Sequence, residues 1–155
     1  MKKFIQNKLK EQKGLTLIEL LAVIVILAII AAIAIPAIGN IIENSRVGAV
    51  KSDFVNAIAA TELYLLDNPD DESVTLANLR ATTVDDGGSG QVYLDDEGSL
   101  TAFTYVPASR LVDGSGTIGN VTIAADDATK ADINAIENNM AADDDSIPDT
   151  ITLTR

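Results

Sequence analysis

The 155-residue chain contains neither cysteine nor histidine. Without cysteine it has no disulfide and no thiolate metal site, and without histidine it lacks the commonest general base and metal ligand. Basic residues are also scarce, with 11 Lys and Arg against 23 Asp and Glu and a net charge of −12. Such a balance repels nucleic-acid phosphates and offers no basic stripe to grip them, so no direct nucleic-acid binding is expected. Divalent cations, by contrast, would be attracted.

What the chain does have is unevenly placed. Within residues 15–38 only Thr16, Glu19 and Pro36 are neither aliphatic nor alanine. As a helix those residues would reach about 36 Å, enough to cross a bilayer core. The Leu, Ile and Val of this run, at roughly 0.3–0.6 kcal/mol each, outweigh one carboxylate costing roughly 3 kcal/mol at mid-helix. Lys2, Lys3, Lys8, Lys10 and Lys13 precede the run, opposed only by Glu11, so this end is expected to stay in the cytoplasm. Without residues 1–14 the balance becomes 6 − 22 = −16.

Helical periodicity continues past the apolar run, because Val47, Val50, Phe54, Ile58 and Leu65 recur at helical spacing with one longer step. Glu43, Arg46, Lys51, Asp53 and Glu62 fall between them, so the second half is amphipathic. Asn68-Pro69 ends it, since a residue before proline avoids the helical region. Residues 15–67 thus form one long helix, packed on a small, acidic head over 68–155. The head alternates β-like runs with turn signals, which gives an α+β fold with a small antiparallel sheet. Strands are expected at 91–94 and Leu100–Val106, as a hairpin turning through 95–99 with Gly98 at positive φ. A third is expected at 117–124 and a closing one at 151–153. Asp126 or Asp127 would cap a helix through Met140, with Ile133, Ile136 and Met140 inward. The Asp/Gly/Ser clusters at 85–90 and 113–116 read as loops.

Lys13-Gly14-Leu15-Thr16-Leu17-Ile18-Glu19-Leu20-Leu21 combines a basic leader, a glycine at its end, a carboxylate five residues on and an unbroken apolar run. The combination resembles the processing site of type IV prepilins and of type II secretion and competence pseudopilins. The resemblance implies that a membrane-embedded aspartyl prepilin peptidase removes a 1–14 leader by cutting after Gly14 and N-methylates Leu15. It also implies a homopolymer with other pilin subunits, raised by an assembly platform and ATPase. The subunit would pass from the cytoplasmic membrane to a surface filament serving adhesion, motility, secretion or DNA uptake.

Each residue also has a physical rationale. Gly14 lets a protease approach and extend the backbone. Glu19 is an expensive carboxylate in a membrane segment and needs a partner. Cleavage makes one, because the α-amine of Leu15 titrates at about pH 8 and is largely cationic. In the family the corresponding glutamate is thought to pair with a neighbour's N-terminus. Alternatively, Glu19 lies near enough to the interface to reach water. Pro36, followed by Gly39 and Asn40, should kink or locally melt the helix. Either a simple kink at the membrane surface or unwinding during packing, as the family implies, would account for it.

Two features depart from the family pattern. Leu15 replaces a common Phe, and the cysteine pair of many pilins is missing, which points toward pseudopilins or Gram-positive pilins. Acidic clusters occur at 67–72, 95–97 and 143–149. None has the spacing of a helix-loop-helix calcium site, so a solvated acidic surface is the simpler reading and no cofactor is expected. Some pseudopilins hold calcium in a C-terminal loop, which makes Asp143, Asp144, Asp145 and Asp149 the candidate ligands. Nothing supplies a raised carboxyl pKa or a cleft, so no enzymatic role is expected. The competing reading is an ordinary secretory signal cut after Ala32-Ile33-Ala34, releasing an acidic binding module, or an uncleaved single-pass anchor.

Overall fold

The computed structural model describes residues 2–80 and 91–155. It separates into two compact units, residues 1–41 and 42–155. The first is the N-terminal part of helix α1, which spans Lys2–Asp67 and contains Pro36. From Leu17 to Ile41 every Leu, Ile and Val of this unit is exposed, from 50% at Val25 to 72% at Ile33. Among the described residues, α1 is the helix long and apolar enough to cross a membrane.

The second unit holds the rest of α1 and a five-stranded sheet in the order β1-β2-β3-β4-β5, every pair antiparallel. Its elements are β1 (Val74–Thr75), α2 (Leu76–Arg80), β2 (Leu100–Val106), β3 (Leu111–Ile118), β4 (Val121–Ala128), α3 (Lys130–Ala135) and β5 (Ile151–Thr154). Together with α1 this is an α+β, pilin-like arrangement. Val47, Val50, Phe54 and Ile58 are at most 1% exposed and join one core with Phe103, Val112, Val121, Ile123 and Leu153. The predicted stripe is thus the buried face, with Leu65 half-buried at its end. α1 ends at Asp67, where Asn68 N–H still donates to Tyr64 O (3.0 Å) before proline forbids another turn.

Several local expectations are corrected. Residues 91–94 form no strand; Tyr93 and Leu94 N–H both donate to Leu79 O, at 3.0 and 3.1 Å, and so satisfy the end of α2 instead. The segment ending in Gly98 (φ +59°) therefore leads into β2 and does not close a hairpin. The hairpin partner of β2 is β3, which runs through the 113–116 cluster expected to be a loop. Those glycines serve close packing: a Cβ on Gly114 would strike Ala102 O of β2, and one on Gly116 would sit 2.8 Å from Val50 Cγ1. The single strand expected at 117–124 is two strands joined at Gly119-Asn120, with Gly119 at φ +65° in a two-residue turn. The 85–90 loop lies outside the described residues.

The helix expected from Asp126 or Asp127 begins later. Thr129 is its N-cap, in a reciprocal capping box with Asp132, because β4 pairing continues to Ala128. It ends at Ala135, yet Ile133, Ile136 and Met140 are all buried as expected. β5 closes the sheet where 151–153 was expected.

Candidate processing and assembly segment

Gly14 and Leu15 lie within α1; their side chains fall outside the described residues. Glu19 is exposed on α1, among Leu17, Ile18, Leu20 and Leu21, each at least 61% exposed. This places a carboxylate on an apolar surface that nothing in its own unit covers. α1 remains helical through Pro36 and Gly39. A Cβ on Gly39 would meet nothing within 4 Å, so no packing within the chain requires a glycine there. Its effect on the helix is the loss of about 1 kcal/mol relative to alanine.

Beyond residue 42 the polar flanks of α1 clamp the sheet. Arg46 Nη1 donates to Asn120 Oδ1 (2.5 Å), and Asn120 Nδ2 donates to Glu43 Oε1 (2.7 Å), so one turn residue joins two helix side chains. Lys51 Nζ donates to Asn134 O and Ile136 O, both at 2.8 Å, which neutralises the carbonyl end of α3. Asp53 Oδ2 accepts from Ser99 N–H (2.8 Å) and Ser99 Oγ (2.6 Å), while Lys130 and Glu62 pair at 3.0 Å. The amphipathic pattern showed that these residues flank the apolar stripe. Their partners lie 46 to 85 residues away, which no local signal reveals.

The acidic clusters are used in small pieces. Asp67 accepts from Tyr93 Oη (2.5 Å) and Asp71 from Tyr64 Oη (2.6 Å), with the two rings edge to face at 5.3 Å. The hydrogen bond to Asp71, followed by burial, raises the Tyr64 hydroxyl above its ordinary pKa. Glu97 pairs with Arg80, and Asp96 accepts from Gly98 N–H (3.0 Å). Asp144 accepts from the Ser146 hydroxyl and from its N–H (2.9 Å), and these bonds hold its carboxyl below the usual range. Asp143, Asp145 and Asp149 do not converge on it: among the described residues no three acidic side chains gather where a metal ion would be held.

Residues 9–35 match the family model of the prokaryotic N-terminal methylation motif. The motif covers Gly14, Leu15 and Glu19 and the first part of the exposed apolar run, and it fits a type IV pilin or pseudopilin. Neither a curated protein nor a solved structure matches the chain. The match spans 27 of the 155 residues, and this N-terminal segment fits a structural, pilin-type subunit. Its leader implies processing by a prepilin peptidase and assembly with other pilin subunits, and with the apolar helix it fits membrane anchoring followed by a surface filament.

Proposed function

We propose that the chain is a structural subunit of a type IV pilus or pseudopilus, cut after Gly14, N-methylated on Leu15 and polymerised through its apolar helix. One observation carries this reading: the methylation motif at 9–35 lies on a helix whose Leu, Ile and Val side chains from Leu17 to Ile41 are all exposed in the single chain. At roughly 1.5–3 kcal/mol for each buried Leu, Ile or Val, such a surface requires lipid or other copies around it. Leaving the bilayer for a filament core replaces lipid contacts with protein contacts. Glu19 then meets the cationic amine of Leu15 on a neighbouring copy, and head-to-tail repetition gives an open helical fibre. An assembly platform and ATPase would supply the work of extraction.

The decisive measurement is the intact mass of the mature chain. A start at Leu15 bearing a methyl group is expected; a start at Ile35 or an intact Met1 rejects the reading in favour of an ordinary signal or an uncleaved anchor. Glu19→Ala is expected to be cut and membrane-bound yet unassembled. Normal filaments from that variant remove the proposed pairing.

A further inference from the structure

The last turn of α1 carries no basic residue, yet Asp67, Asp70, Asp71 and Glu72 gather there, at the negative end of the helix dipole. Among the described residues the ion pairs are Arg80–Glu97 and Lys130–Glu62, so none of these four carboxylates is paired with a cation. Two are fixed against the helix, Asp67 by the Tyr93 hydroxyl and Asp71 by that of Tyr64. Asp70 is exposed and its side chain makes no hydrogen bond. Leu63 and Leu66, the latter 78% exposed, stand beside this charge. In the second unit the large apolar side chains left exposed, among the described residues, are these two, Ile42 and Val92. Exposed apolar groups beside uncompensated charge mark a surface made for a partner.

The complementary pattern lies where α1 enters the second unit. Ile42 and Arg46 are four residues apart and share a helix face, as Leu63 and Asp67 do. The two pairs are separated by roughly 32 Å of helix, close to six whole turns, so they lie within about 60° of each other around α1. Arg46 is held in place: its guanidinium lies over Gly119, where a Cβ would fall 2.8 Å from Nη1, and donates to Asn120 Oδ1. Those contacts are neutral, and the nearby Glu43 carboxylate accepts from Asn120 Nδ2 without pairing with Arg46. We infer that the outer end of α1 receives this inner end of a second copy, Ile42 packing on Leu63 and Leu66 while Arg46 reaches Asp67 and Asp70. The guanidinium then offsets both the carboxylates and the helix dipole, which nothing else in the last turn does. Unlike ends of one body join copies head to tail, and such a contact repeats without closing. The inference rests on the filament reading and adds a contact between heads.

Asp70→Arg changes an exposed side chain with no bonds of its own, so the head should melt as the native one does while filament mass at low salt falls roughly tenfold. Arg46→Glu should lower filament mass as far. Combined in one chain, the two substitutions should restore most of it, because the ends then meet with their charges exchanged. Residues 46 and 70 are too far apart to pair within one chain, so the combined variant should melt no higher than Arg46→Glu; a merely structural role would move both readouts together. The native chain has no cysteine, which makes cross-linking clean. Filaments of a chain carrying Ile42→Cys and Leu66→Cys, treated with a short bis-maleimide, should yield a peptide linking 42 to 66 between chains, since roughly 36 Å of helix excludes that link within one. Full filament mass from Asp70→Arg, no recovery in the combined variant, or normal filaments without the 42–66 link overturn this contact and leave the filament reading standing. Absence of filaments from the unmodified chain overturns both.

Discussion

Asp53, on the helix, takes both the backbone N–H and the hydroxyl of Ser99 onto a single carboxylate oxygen, at 2.8 and 2.6 Å. Ser99 is 9% exposed, so no solvent replaces that oxygen if it is lost. Asp53→Ala should therefore destabilise the head by about 1–3 kcal/mol, the cost of leaving a buried donor unpaired. Denaturant unfolding of the head measures it. A loss below half a kilocalorie would mean that water reaches Ser99.

Gly114→Ala should be more damaging than its size suggests. The added methyl meets a backbone carbonyl, Ala102 O, which can move only by bending β2. Overpacking of this kind costs roughly 1–3 kcal/mol. At Gly116 the nearest atom is Val50 Cγ1 at 2.8 Å, a side-chain methyl and not the backbone. Alanine at 116 should thus be milder than alanine at 114, and a reversed order in melting temperature would contradict the packing described.

The capping box of α3 gives a pH dependence. Asp132 is held below its ordinary pKa, first by the Thr129 N–H and then by the Thr129 hydroxyl. The folded pKa being the lower one, the contribution is present above the unfolded value of about 3.9 and is lost as pH falls through the folded value. The stability gap between the native chain and Asp132→Asn should accordingly be constant from neutral pH to about 5 and close below 4. Thr129→Ala should cost about 1 kcal/mol at neutral pH. A gap that persists in acid would assign the effect to packing.

Much of this was legible in the sequence, for reasons that differ by element. The stripe from Val47 to Ile58 follows a period that only a one-sided helix satisfies, and Asn68-Pro69 is a local stop, so the helix and its inner face were both readable. The motif around Gly14, Leu15 and Glu19 is likewise contiguous. β3 was not readable, because Asp113-Gly114-Ser115-Gly116 has the composition of a loop and owes its extended form to neighbours in β2 and α1. Residues 91–94 misled in the opposite sense: they have strand composition, but the N–H groups of Tyr93 and Leu94 are taken by Leu79 O. The clamps by Lys51 and Asp53 were invisible for the same reason, being set by tertiary distance.

Processing itself offers a test on one residue. Gly14→Val should accumulate full-length chain, visible as a mass that still includes residues 1–14, because a β-branched side chain obstructs backbone access. Efficient cutting of that variant would place the specificity elsewhere.

Gly39 makes a separate prediction. With nothing near its Cβ, Gly39→Ala should strengthen the helix by about 1 kcal/mol without a clash. If assembly needs this segment to unwind after Pro36, that variant should enter filaments more slowly while being cut normally; unchanged assembly kinetics would count against unwinding.

Each strand of the head pairs only with the strands beside it in sequence, and the turns at Gly119-Asn120 and at 107–110 are short. The β2–β3–β4 meander can zip from one hairpin to the next with little loop-closure entropy, whereas β1 and β5 join it across 24 and 22 residues and docking α1 joins residues 46 to 85 apart. The implied order of events is the β2–β3–β4 meander first and the helix last. Phe54→Leu should then hasten unfolding far more than it slows folding, and a meander that forms early would pair the long strands β2, β3 and β4 with one another while the long helix is still held in the bilayer.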